Sequence, residues 1–544
     1  MRSAPLLSLL AFLLLFVTPA AAQTAEIGPS QATHAANRDP QVVEERRKNG
    51  ELTHSASKVD GRWEVAYFAG DEEVALVLVD PESGQVMESW TGYQVLWKMA
   101  RGYSGAFGHK LNAPYVFLPL CALFLVGLLD WRRPWRLATL DLLALLGFGV
   151  SNYFFNRAEI GASVPLAYPP LLYLLGRALW IGLRGRGEGI RPVWPAAWLL
   201  LAALFLMGFR VGLNMADSGA IDVGYAGVVG ADRISHGEAL YGNFPTDVSQ
   251  GDTYGPVNYA AYVPFEAIWP WHGSWDDLPA AHGAAVGFDL LAFALLIWLG
   301  LRIRPGPRGR KLAAALAFGW AAYPYTAYAL ESNSNDTLVG VLLVATLIAL
   351  TRAAAKGVLT GLAALTKFAP IVLAPMLATY RARPRTVALY ALALLGTVAL
   401  LMLWPALDPG LHEVYDRTVA YQAGRDSPFS IWGQVSGLEP LRIAILIATG
   451  LMALAFSFAP RRKTLVQVAA LGAALLILLQ LTAQHWFYLY IVWFYPLLLV
   501  AMSSLDKEGW GSPEPTDAQS GRSPRVGAGD LQPSPSSTSR PISR

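Results

Sequence analysis

The chain has 544 residues but only one cysteine, Cys121. A single thiol excludes an intramolecular disulfide and a cysteine-built metal cluster. Charge is also scarce: Asp, Glu, Lys and Arg make up 15% of the residues, against 54% hydrophobic ones. That is too apolar for a soluble protein of this length. His236, His412 and His485 are isolated in sequence, so no metal-ligand spacing arises and neither a metal nor a cofactor is expected. No internal repeat is visible. The net charge of +3 says little, because the placement of basic residues matters more than their sum.

What the chain has in quantity is long apolar runs, recurring from residue 114 to residue 503. About 20 such residues span a bilayer. The fold class expected is an all-α polytopic membrane protein with about 11 spans and a re-entrant hairpin. A small α+β extracytoplasmic domain precedes it. The opening "MRSAPLLSLLAFLLLFVTPAAAQ" has a basic start, an apolar centre and small residues at 20–22. It reads as a secretory signal peptide, residues 1–22, cut before Gln23. An uncleaved first span is the alternative, and both put the next segment outside the cytoplasm.

Residues 23–111 are polar. "QVVEERRKNG" (41–50) predicts a helix that stops at Gly50. "GRWEVAYFAG", "EVALVLVD" and "GQVMESWTG" predict three strands, with turns at "GDEE" and "DPESG". A helix followed by such a meander resembles PepSY-like envelope modules, which implies a binding or regulatory domain. Residues 504–544 are rich in Ser, Pro and Gly and predict a disordered cytoplasmic tail.

The basic stretches "WRRPWR", "LRGRGEGIR", "RIRPGPRGRK", "TRAAAK", "RARPR" and "RRK" mark cytoplasmic loops by the positive-inside rule. Spans then fit at 114–130, 137–155, 164–182, 193–213, 282–301, 312–330, 336–350, 386–405, 441–459, 464–482 and 486–503. Two segments break the alternation. Residues 256–271 are short and carry prolines, which suits a re-entrant or juxtamembrane helix on the outer side. Residues 357–380 lie between two cytoplasmic loops and contain Lys367. As one spanning helix they would hold that ammonium near the bilayer centre, at about 2.5–3.5 kcal/mol. A hairpin of two half-helices avoids this. Pro370 suits the first turn of its second arm, whose amino terminus beside Lys367 would attract an anion such as phosphate. The bland alternative is a snorkelling lysine.

The loop after the 193–213 span holds Asp217, Asp222, Asp232, Glu238, Asp247 and Asp252 against one Arg233. "VGYAGVVGADRISHG" reads as a surface helix ending at Gly237. A carboxylate at the rim of a membrane cavity is a candidate general base. A solvated acidic loop is the ordinary reading of most of these residues.

In order along the chain come "DVGYAGVVGADRISHGEALY", "YGPVNYAAYVPF", the polar turn "ESNSND", "GLAALTKFAP" and "QHWFYLYIVWFYPLLL". This succession resembles the GT-C superfamily of polyprenyl-phosphate-dependent glycosyltransferases. The nearest branch in appearance is glycosyltransferase family 87, the bacterial alpha-mannosyltransferase-like proteins. The likeness covers residues 193–503; three further spans in 112–192 and the N-terminal domain depart from it. It implies an inverting, metal-free transfer of a sugar, mannose in that branch. The sugar would pass from a polyprenyl-monophosphate donor to an extracytoplasmic glycolipid or glycan. The enzyme would be multi-pass in the cell membrane, with membrane lipids around it and no nucleic acid as partner. By position, Asp222 corresponds to the base, with Asp232 as runner-up, and Lys367 to the lysine before a proline. The usual polar turn is replaced here, leaving Asn333 and Asn335 as substrate-contact candidates beside Tyr254. His485 and Arg425 are candidates for the donor phosphate. His485 also suits an interfacial aromatic belt, and Arg425 an ion pair with an acidic neighbour. Two other classes stay open: a lipid or solute transporter, and a non-catalytic envelope sensor or scaffold.

Overall fold

A computed structural model describes residues 26–59, 61–102, 108–185, 188–425 and 427–504. The expected signal peptide, and the expected tail beyond Ser504, lie outside the described residues.

Two helices that begin with proline open the described chain, Pro29–Ala36 and Pro40–Asn49. The Asp39 carboxylate caps the second by accepting from Gln41 N at 2.9 Å, which satisfies one amide of the helix start. Gly50, at φ 82°, ends it. Four strands follow as an antiparallel meander: β1 (Thr53–Val59), β2 (Arg62–Ala69), β3 (Glu72–Val79) and β4 (Val86–Thr91). The last three are the strands expected from sequence. β1 is an addition. It is an edge strand, exposed along most of its length, and its polar "THSASKV" has no apolar alternation for a sequence reading to detect. The helices cover one face of the sheet, with Ala32, Ala36, Val42, Val65, Tyr67 and Val77 in a small core of their own.

Among the described residues, six helices are long and apolar enough to cross a membrane. They are Leu137–Phe155, Ile160–Arg184, Ala196–Ala216, Pro279–Ile303, Pro384–Gly424 and Glu439–Phe458. Pro114–Leu128, Asp336–Ile348, Leu465–Leu481 and Tyr488–Ser504 are shorter apolar helices at other expected spans. The expected 312–330 span is two pieces, Gly306–Ala322 and Pro324–Glu331, because proline has no amide hydrogen to continue the ladder. Within Pro384–Gly424 the helix breaks at Asp408, whose φ −149°, ψ 112° is extended backbone. The short segment after Gly255 is two small helices, Pro256–Ala260 and Val263–Glu266.

The bundle also buries ions. Arg210 pairs with Asp289 at 2.9 Å, and Trp320 Nε1 donates to the same carboxylate at 2.9 Å. Arg177 pairs with Asp141 at 2.9 Å. Charges within apolar helices persist only when paired in this way. The helices of 112–192 are knit to the rest: Tyr323 OH donates to Leu145 O, Gln467 Nε2 to Gly182 O, and Tyr488 OH meets Ser151 Oγ at 2.7 Å. They share one apolar core with the helices that follow.

The segment around Lys367 is a hairpin. Ala353–Ala364 is its first arm. A turn follows, and the second arm is a 3-10 turn, Ala369–Leu373, running into Ala374–Ala378. Near the base of the first arm, Lys356 Nζ donates to Leu377 O on the second at 2.6 Å. Pro370 stands in the first turn of the second arm, as expected. That arm begins as a single tight turn, so it presents no extended helix terminus to an anion.

Candidate functional site

Asp222 begins the Asp222–His236 helix. Ile221 N donates to Ser332 O at 3.0 Å, tying the helix start to the 332–335 turn. Gly224 makes this approach possible, since a Cβ there would sit 2.2 Å from Asn333 O. The Asp222 carboxylate accepts from the Val223 amide at 2.8 Å and its other partners are open. It lines a cavity of about 190 Å³ with Asp247, Tyr254, Tyr421 and Arg425. The side chain is reachable by water, yet protein surrounds it closely enough to thin its hydration. That loss of hydration raises its pKa above the usual carboxylate value, opposed by Arg425, the Val223 amide and Lys367.

Lys367 stands in the hairpin turn. Its Nζ lies 2.5 Å from Asp336 Oδ1, with both side chains buried. The rings of Tyr254, Trp493 and Tyr490 surround the ammonium at 5.0, 5.2 and 5.6 Å, distances at which a ring face attracts a cation. Trp493 Nε1 donates to Asp336 Oδ1 at 2.7 Å, and Ser334 Oγ donates to Oδ2. Tyr254 is carried to this place by its neighbour: a Cβ at Gly255 would lie 2.0 Å from Leu365 O, and Val257 N donates to that same carbonyl at 3.1 Å. So Lys367 is not a bare cation awaiting an anion. It already has a carboxylate.

Arg425 is different. Among the described residues its guanidinium has no ion pair, and its buried Nε has no hydrogen-bond partner. It rests between the rings of Trp97 and Tyr421 at 5.3 and 5.8 Å. The helical segment before it is fixed to the acidic loop, because Arg417 Nε pairs with the buried Asp252 at 3.0 Å and Gln422 Nε2 donates to Thr253 Oγ1 at 2.6 Å. His485 Nδ1 meets Ser427 Oγ at 2.9 Å, and its ring lies 5.4 Å from Trp97. Burial, with Arg425 and Lys367 nearby, holds the His485 pKa well below 6.5, so the imidazole is neutral at pH 7 and acts as a hydrogen-bonding group. Asp222 and His485 are each close enough to feel the charges of Arg425 and Lys367.

The structure thus gathers Asp222, Tyr254, Lys367, Arg425 and His485 from separate connections. It does not gather the other candidates. Asp232 is ten residues further along the Asp222–His236 helix, paired with His236 at 3.3 Å. Asn333, at φ 47°, spends its amide on Asn214 and Ser218, at 2.8 and 3.0 Å. Asn335 Nδ2 donates to Asn258 at 2.7 Å in full burial. These two hold the turn in shape, and Asp336 is the member of "SNSND" that reaches the cluster. The sequence reading also passed over Trp97, Tyr490 and Trp493. Among the described residues, no group of three or more His, Cys, Asp or Glu side chains converges as a metal site would. The arrangement offers an open carboxylate and a guanidinium without an ion pair among the described residues, both lining one cavity, with a caged ion pair nearby. Such a site can accept a proton and hold an anion in one place.

No protein-family model matches the chain, and no curated protein matches it in sequence.

Proposed function

We propose that the protein is an inverting glycosyltransferase. It moves a sugar, mannose in the family it resembles, from a polyprenyl monophosphate to a glycolipid or glycan on the extracytoplasmic face of the cell membrane. The observation that carries this reading is the shared cavity: Asp222 and Arg425 line the same space without an ion pair between them. The acceptor hydroxyl attacks the anomeric carbon and gives its proton to the Asp222 carboxylate. The bond from that carbon to the phosphate oxygen breaks, and the electron pair leaves with the phosphate. Arg425 meets the charge that develops there, with Lys367 beside it. A phosphate monoester is a good leaving group, so no strong general acid is required. The neutral imidazole of His485 supplies a hydrogen bond on the same side.

The test is a transfer assay with purified protein, labelled polyprenyl-phosphate hexoses and a membrane-glycolipid extract as acceptor. Labelled product with inverted anomeric configuration is expected. No product from any donor, together with movement of lipid across protein-containing vesicles, would overturn the transferase reading in favour of a transporter.

A further inference from the structure

The N-terminal sheet domain has its own core, yet the chain leaving it does not run freely to the first apolar helix. After β4 comes a laced turn. Arg101 donates from Nε to Gln94 O at 2.9 Å and from Nη2 to Val95 O at 3.0 Å. Gln94 Nε2 donates back to Ala100 O at 3.1 Å. Trp97 stands in the middle of this turn and packs against the large core of the helix bundle, outside the core of the sheet.

Three members of the site region meet that indole: the Arg425 guanidinium at 5.3 Å, the His485 ring at 5.4 Å and the Phe429 ring at 5.5 Å, edge to face. Arg425 has no ion pair among the described residues, so ring faces set where its charge sits. A guanidinium on an indole face is held by cation–π attraction and stays free to bind an anion with its edge.

We propose that the N-terminal domain is a working part of this site, and that Trp97 is a positioning residue which holds Arg425 and His485 toward the phosphate of a lipid-linked donor. The proposal rests on the transferase reading and deepens it. The sheet domain becomes a component that sets phosphate affinity, where an appended sensor would leave it unchanged.

The experiment uses the full-length protein in lipid nanodiscs and polyprenyl monophosphate, which binds without reacting. Binding is followed by native mass spectrometry for the wild type, Trp97→Ala, Trp97→Phe and Arg425→Ala. Amide hydrogen exchange over residues 425–434 and 481–487 is measured on the same unliganded samples. Trp97→Ala is expected to weaken binding by about tenfold and to speed exchange in both segments. Trp97→Phe, which keeps a ring face, should stay within about threefold of the wild type. If Trp97→Ala binds and exchanges like the wild type while Arg425→Ala loses the lipid phosphate, the proposal is overturned and the transferase reading stands. Faster exchange with unchanged binding reduces Trp97 to packing and overturns it equally. A wild type that binds no lipid phosphate takes both readings down.

Discussion

Lys367 and Asp336, 31 positions apart in the chain, form a 2.5 Å contact ion pair between the hairpin turn and the start of the Asp336–Ile348 helix. The pair joins the hairpin turn to the helix that follows the 332–335 turn. Neither partner can be altered without stranding the other.

Replacing the lysine alone is therefore not a clean removal of one charge. Lys367→Met leaves Asp336 buried with only Trp493 and Ser334 as donors. Breaking one side of a buried pair costs about 3–5 kcal/mol. The expected result is a marked loss of thermal stability in detergent, with much of it regained in the double variant Asp336→Asn/Lys367→Met. A single Lys367→Met as stable as the wild type would show that the pair is not formed in solution.

Asp222→Asn keeps shape and removes basicity. Sugar transfer should slow by about 10²–10⁴-fold, with donor binding and melting temperature preserved. Asp232→Asn should be mild, since Asp232 faces His236 and not the cavity. The pH profile carries the same assignment. The Asp222 pKa is raised, so the ionised, proton-accepting form is lost as pH falls through that raised value. The acid limb of kcat/KM should lie above about pH 4, the ordinary carboxylate value, and should vanish in Asp222→Asn. A limb at or below that value would reassign the base.

Gly224→Ala tests how closely the helix start is set against the 332–335 turn. The added methyl would meet the backbone oxygen of Asn333 at 2.2 Å, and backbone cannot swing aside. Destabilisation of about 1–3 kcal/mol is expected, with transfer reduced at least as strongly as stability. Gly219→Ala is the control, because nothing lies within 4 Å of its added Cβ. Equal behaviour of the two variants in melting and turnover would mean that the approach is loose.

Orientation in the membrane is open to direct labelling. Asn243 and Arg308 are both exposed. In a Cys121→Ala background, a cysteine at 243 should react with an impermeant maleimide on intact cells. A cysteine at 308 should react only after the membrane is opened. Labelling of both from outside would break the alternation on which the extracytoplasmic site depends.

Much of the helical frame was legible because apolar runs and basic loops are strong signals. The expected span at 137–155 coincides with Leu137–Phe155. The hairpin was legible because a lysine and a proline in an apolar run admit few structures. Asp336 was hidden for the opposite reason: "SNSND" offers five polar side chains at once, and only the folded turn shows which one reaches Lys367. Trp97 was hidden because indoles are common here, 18 in the chain, and its partners lie hundreds of positions away. The buried pairs Arg210–Asp289 and Arg177–Asp141 escaped because each half looks like a lone interruption in an apolar helix.

The ring contact between Trp97 and His485 has a consequence in time. The two residues stand 388 positions apart in the chain, and a ribosome adding about 5–20 residues per second needs on the order of tens of seconds to travel between them. Throughout that interval Trp97 has emerged and His485 has not. A nascent chain stalled within the Leu465–Leu481 helix carries a finished sheet domain and a hairpin but lacks His485. Quality control that reads exposed aromatic surface would find an incompletely covered indole on every such fragment. Completion of the site is the event that leaves it half-buried.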